Sequence, residues 1–157
     1  VEISWYEGER ERLRPLFELA EDSPDRLEAS IDRGRILVAL EGSEIVGFLQ
    51  LVETGSEAES ELLTVAVQHG HQRRGIGSAL VLRAIAECRL EGLRTLLVAT
   101  AAAETGNLRF YQRLGFRLLR IQRDAYTPAD GYPDRLTIDG IPVRDRVWLN
   151  LELARVD

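Results

Sequence analysis

Six consecutive residues, Gln72-Arg73-Arg74-Gly75-Ile76-Gly77, have the types and spacing to hold a phosphate. They stand between a leucine- and valine-rich run, Glu61 to Val67, and an amphipathic stretch that begins at Gly75. The run is bounded by Glu59-Ser60 and Gln68-His69-Gly70 and has the length and β-branched content of a buried strand. The stretch after it reads as a helix, with Arg83, Glu87 and Glu91 on a polar stripe and Ile76, Leu80, Ala84, Ile85 and Cys88 opposite. A helix's first turn carries unpaired backbone N–H groups and a positive dipole end, and these attract phosphate. Glycines at 75 and 77 leave that backbone uncovered. Arg73 and Arg74 add permanently charged, forked donors. The same six residues would equally make a tight strand-to-helix turn whose arginines face water.

Other chemistries are excluded by the same reading. A Walker-type loop needs Gly-Lys-Ser/Thr, and the chain contains no lysine; all 20 of its basic residues are arginine. The dinucleotide fingerprint G-x-G-x-x-G fails at Leu80, where its third glycine belongs. His69 and His71 sit two apart in the turn without the further ligands a metal needs, so no metal is expected and both histidines read as exposed turn residues. No serine or cysteine stands in a nucleophile arrangement.

The hexapeptide resembles Q/R-x-x-G-x-G/A, the acetyl-CoA pyrophosphate loop of the GNAT N-acetyltransferase superfamily. Downstream, Asn107-Leu108-Arg109-Phe110-Tyr111-Gln112-Arg113-Leu114-Gly115-Phe116 is similar to that family's N-x-x-x-Y-x-x-x-G-F segment. The resemblance implies an α/β fold with a central mixed, mostly antiparallel sheet and helices on both faces. It implies acetyl-CoA as acyl donor and a primary amine, of a small molecule or a peptide, as acceptor. The main chain of Val65, Ala66 and Val67 would contact the acetyl and pantetheine groups. Gln72, Arg73, Arg74, Gly75, Ile76, Gly77 and Ser78 would hold the pyrophosphate, and Asn107 would touch the cofactor from the next helix. Tyr111 matches the tyrosine that in many members protonates the departing thiolate. Glu61, fourteen residues before Gly75, matches a glutamate that in several branches takes the amine's proton. A module that binds the cofactor without turnover is the alternative implied.

The rest of the chain must position these groups. A short strand (1–5), a helix (9–21) started or bent by Pro15, and a helix (24–32) capped by Ser23 come first. Strands at 35–40 and 44–52 follow, joined by Glu41-Gly42-Ser43, and then a polar loop at 53–59. After the long helix come an apolar strand (95–100), a helix (104–114) with Asn107 and Tyr111 one turn apart, and a strand (116–122). The segment 123–145 is an excursion before a last strand at 147–153. Within it, Tyr126 to Pro133 is irregular, and Asp139-Gly140 is a two-residue hairpin signal. Tyr126, Asp130 and Tyr132 are candidates to attract a cationic amine, against the plainer reading of a solvated cover or a dimer contact.

One domain spanning 1–157 is expected from 157 residues, with 45% hydrophobic and 29% charged residues. Net charge of −6 argues against nucleic acid as the main partner, and no apolar run is long enough for a membrane helix. The N-terminus lacks the pattern of a signal peptide, and the single Cys88 reads as a core residue in a reducing cytoplasm. A homodimer is compatible with the family resemblance.

Overall fold

A computed structural model describes residues 1–153; residues 154–157 of the expected domain lie outside the described residues. Its centre is a seven-stranded sheet in the order β1-β2-β3-β4-β5-β9-β6. The strands are β1 (Glu2–Trp5), β2 (Arg35–Glu41), β3 (Glu44–Glu53), β4 (Glu59–Val67), β5 (Thr95–Ala101), β6 (Arg117–Gln122) and β9 (Arg146–Glu152). Only β4 and β5 run parallel; the other five pairings are antiparallel. The expected mixed, mostly antiparallel sheet is therefore present.

Helix α3 (Ile76–Leu90) crosses from β4 to β5. It buries Leu80, Val81, Ala84, Ile85 and Cys88 against Leu37, Leu49, Leu62, Leu96 and Leu149 of the sheet. Burial pushes the Cys88 thiol up to about 11, so it stays a neutral core group. On the opposite face, α1 (Arg14–Ala20) and α2 (Pro24–Ser30) pack Leu16, Phe17 and Leu27 against Ile36, Val38 and Phe48. The Phe17 and Phe48 rings meet 4.5 Å apart. Alternation along β2 sorts Leu37 and Ala39 to one core and Ile36 and Val38 to the other.

The departures from sequence expectation are local. The helix expected over 9–21 splits into a 3-10 turn (Arg10–Leu13) and α1, because Pro15 has no N–H to give to the carbonyl four residues back. Helix α2 stops at Ser30, short of Asp32. Beyond it, Arg10 donates to the carbonyls of Ile31, Arg33 and Gly34, and Gln50 to those of Ser30 and Arg33. The chain end of that helix is thus satisfied by side chains rather than by another turn. β4 begins at Glu59, two residues early, and Ser60 Oγ donates to Val52 O at 3.0 Å. Helix α4 (Thr105–Arg113) leads through Gly115 into β6. In the excursion, β7 (Thr137–Ile138) and β8 (Ile141–Pro142) form the expected hairpin, with positive φ at both Asp139 and Gly140.

Candidate active site

Strands β4 and β5 pair only from Glu59↔Thr95 to Leu62↔Val98. Beyond Leu62 they part, while β4 stays paired to β3 as far as Val67↔Gly47. Every second backbone N–H and C=O of residues 63–67 therefore faces a gap instead of a neighbouring strand. Two clefts open from that gap.

The first, of about 420 Å³, is lined by Val65, Ala66 and Val67, by Gln72, Arg73, Gly75, Ile76, Gly77 and Ser78, and by Asn107, Phe110 and Tyr111. The N-terminus of α3 points into it, and no side chain caps that helix. Its first N–H groups are left for an anion. Gly75 supplies the turn with φ +80°, and Arg73 also takes a left-handed conformation at φ +63°. Gln72 ties the loop down: its Nε2 donates to Val67 O at 3.0 Å.

Ten of the eleven expected cofactor residues come together here, but Arg74 does not. Its guanidinium lies 3.0 Å from Glu41 Oε1 at the end of β2 and is absent from the cleft wall. His71 shares that carboxylate, with Nε2 2.8 Å from Glu41 Oε2. Arg74, hydrogen-bonded to Glu41, is the main cause holding the Glu41 carboxyl below its usual range, and His71 adds to it. The expectation that His71 is an exposed turn residue is corrected: it is partly buried and forms part of the cleft wall. Arg73→Ala should weaken acetyl-CoA binding several-fold and Arg74→Ala much less, as measured by calorimetry.

Gly77 tests the cleft more sharply. A Cβ there would stand 3.6 Å from Phe110 and 3.8 Å from Val67, ordinary contact distances. Gly77→Ala should keep its melting temperature, since alanine suits a helix at least as well as glycine. Its methyl group would stand between loop and Phe110, and acetyl-CoA affinity should fall tenfold or more. Unchanged affinity would place the phosphates elsewhere.

The second cleft, of about 410 Å³, opens on the α1/α2 side of the sheet. Its wall includes Glu61, Thr64, Glu104, Tyr132, Arg146 and Trp148. Val65, Asn107 and Tyr111 line both clefts and mark where they join. Asn107 Nδ2 donates to Thr100 Oγ1 at 3.2 Å, which fixes α4 over the parted end of β5. The Tyr111 ring is buried between Phe110 and Phe116, with centroids 5.1 and 5.6 Å away. Burial drives its phenol well above the usual tyrosine range, so the hydroxyl stays neutral. Burial also raises the Glu61 carboxyl, and Arg33, Arg146 and Arg26 oppose the rise.

Tyr126 and Tyr132 do reach this cleft, with rings edge to face at 5.0 Å. The chain's own arginines already occupy their faces, Arg146 at 4.8 Å from the Tyr126 centroid and Arg26 at 5.8 Å from that of Tyr132. Asp130 stands outside the wall; its carboxylate accepts from Thr127 Oγ1 at 2.6 Å, and its carbonyl accepts from Ser23 Oγ. Sequence reasoning missed Arg33, Glu104, Phe110, Arg146 and Trp148. The alternation of β9, which sends Arg146 and Trp148 to one face, was the one available signal for the last two. Among the described residues no cluster of His, Cys, Asp and Glu could hold a metal, and no helix is long and apolar enough to cross a membrane.

The chain is similar to known proteins along nearly its whole length. The profile of the acetyltransferase (GNAT) family matches residues 4–116. An uncharacterised N-acetyltransferase of Bacillus subtilis, YvbK, is 31% identical over 153 residues, covering 98% of this chain and 97% of that protein. The crystal structure of a Bacillus subtilis acetyltransferase in complex with CoA superposes with a TM-score of 0.87 at 31% identity, covering 97% of this chain and 98% of that one. A GNAT family acetyltransferase from Elizabethkingia anophelis with acetyl-CoA bound gives 0.87 at 26% identity, covering 97% of each chain. Loop, parted strands and tyrosine helix thus occur in a chain whose relatives share the whole fold: it belongs to the acetyltransferase (GNAT) family.

Proposed function

We propose that this chain transfers an acetyl group from acetyl-CoA to the primary amine of an acceptor, by direct attack. The observation that carries the reading is the junction at Val65, Asn107 and Tyr111, which opens on one side to the α3 N-terminus and on the other to Glu61. Acetyl-CoA supplies an activated thioester, and the uncapped helix start with Arg73 fits its pyrophosphate.

The chain's residues then have distinct tasks. Backbone N–H groups left unpaired along 63–67 can receive the developing oxyanion of the tetrahedral intermediate. Glu61 takes a proton from the acceptor's ammonium. Its burial makes it a stronger base than a free glutamate, and the nearby arginines oppose that rise. Tyr111 gives a proton to the thiolate as it leaves. The same burial that raises the phenol would raise a thiolate in that cleft, so donor and acceptor are brought closer in basicity.

The test is mass analysis of candidate amines after incubation with the protein and acetyl-CoA. An acceptor one acetyl group heavier supports transfer. Intact acetyl-CoA beside every amine would favour a module that binds the cofactor without turnover.

A further inference from the structure

Arg144 and Arg146 flank Asp145 at the start of β9, yet their surroundings differ. Arg144 is exposed and lies 3.4 Å from the Asp124 carboxylate. Arg146 is half-buried in the acceptor-side cleft and has no carboxylate within ion-pair distance among the described residues. Its partners are neutral. Nε donates to Tyr126 Oη at 3.3 Å, Nη1 to Gln122 Oε1 at 3.4 Å, and the guanidinium stacks on the Tyr126 ring. Gln122 is held in turn by Trp148 Nε1 at 3.2 Å, and the β6–β9 register sets Gln122 opposite Arg146. Of the five N–H donors of a guanidinium, two are used among the described residues.

A charge fixed by neutral groups inside a cleft is oriented for an ion that arrives from outside. The other charged groups of the cleft agree. Arg26 already lies 3.9 Å from Glu21 and over Tyr132, whereas Arg33, like Arg146, acts on Glu61 with no carboxylate within ion-pair distance among the described residues. Asp22 and Glu104 also line the cleft; burial raises the Glu104 carboxyl, and Asp22 and Asp139 add to the rise. The cleft wall thus carries positive charge at Arg146 and Arg33 and negative charge at Glu61, Glu104 and Asp22. A molecule with both charges matches it.

We propose that Arg146 binds a carboxylate carried by the acceptor, so that the acceptors are amino acids, with Trp148 and Tyr126 beside the bound carboxylate. The inference rests on the acetyl-transfer reading above. It adds a specificity determinant to that site: Arg146 discriminates among amines, and Glu61 and Tyr111 act on whichever amine is bound.

The experiment measures kcat and KM for matched sets: an amino acid, its α-amide and its decarboxylated amine, beginning with the aromatic amino acids. Wild type should favour the acid over its amide by tenfold or more in kcat/KM. Arg146→Gln should raise KM for the acid by about 10- to 100-fold, the range of a hydrogen bond to a charged group, with kcat changed less than about threefold. It should leave the amide's KM in place, and Arg146→Lys should recover part of the loss. Arg144→Gln should match wild type. The wild-type comparison needs no variant and stands even where Arg146→Gln folds poorly.

Two outcomes overturn the proposal while leaving acetyl transfer intact. One is equal or better turnover of the amide or the decarboxylated amine by wild type. The other is an Arg146→Gln loss that falls on kcat equally for every member of a set, with no rise in KM confined to the acid, which would assign Arg146 to Glu61 alone. Thiol release with no amine of either kind would overturn both readings together.

Discussion

Tyr111→Phe should lower kcat by about 10²- to 10³-fold, within the range of a lost general acid. Affinity for acetyl-CoA should be unchanged, since phenylalanine keeps the ring that packs between Phe110 and Phe116. The folded state should also persist, because the substitution removes one hydroxyl and no apolar volume. Burial raises the phenol, so its proton stays in place throughout a neutral assay. Wild type should therefore show no basic limb from Tyr111 between pH 6 and 9. Single-turnover release of thiol separates this step from binding: a slow release at saturating acetyl-CoA fits the acid. Wild-type kinetics in the variant would reduce Tyr111 to a packing residue.

Glu61→Gln should cost about 10²- to 10⁴-fold in kcat near neutrality. The pH dependence carries a sign. A base must be ionised, so the wild-type rate falls as pH drops through the Glu61 pKa, which burial places above the ordinary 4.5. That acid limb should vanish in Glu61→Gln. Arg33→Ala should move it to higher pH, because Arg33 is the largest of the influences opposing the rise.

Stability follows the same group. Between pH 4.5 and the raised pKa the native state holds a proton that the unfolded chain has lost, so stability falls as pH rises through that window. Above it the buried charge is a cost, and Glu61→Gln should melt higher than wild type at pH 7 and no higher at pH 4. A thermal scan at the two pH values reads this directly. Lower melting at pH 7 would show that Glu61 is held as a structural charge.

What could be read from the sequence was mostly local. The strand-turn-helix at 61–78, the Asn107–Tyr111 spacing and the Asp139-Gly140 hairpin are written in neighbouring residues, where backbone geometry and side-chain period act over a few positions. Arg74 shows the limit. Its spacing beside Arg73 matches a phosphate donor, but Glu41, 33 residues earlier, takes its charge. Nothing near position 74 signals that partner. Tyr126 and Tyr132 were legible as cation platforms, and the cations turned out to be Arg146 and Arg26 of the same chain. Arg146 became visible only when β9 inserted between β5 and β6, a pairing between segments separated by the whole excursion. Helix α2 ended early for a similar reason, since Arg10 and Gln50 reach its last carbonyls from elsewhere.

The most direct measurement is the rate of free-thiol release from acetyl-CoA by the wild-type protein, with and without a panel of primary amines. Acetyl transfer at the junction of the two clefts predicts release that depends on the amine, saturates with its concentration, and matches the acetylated product one for one. Tight binding of acetyl-CoA with no amine-dependent release, across amines with and without a carboxylate, would contradict it.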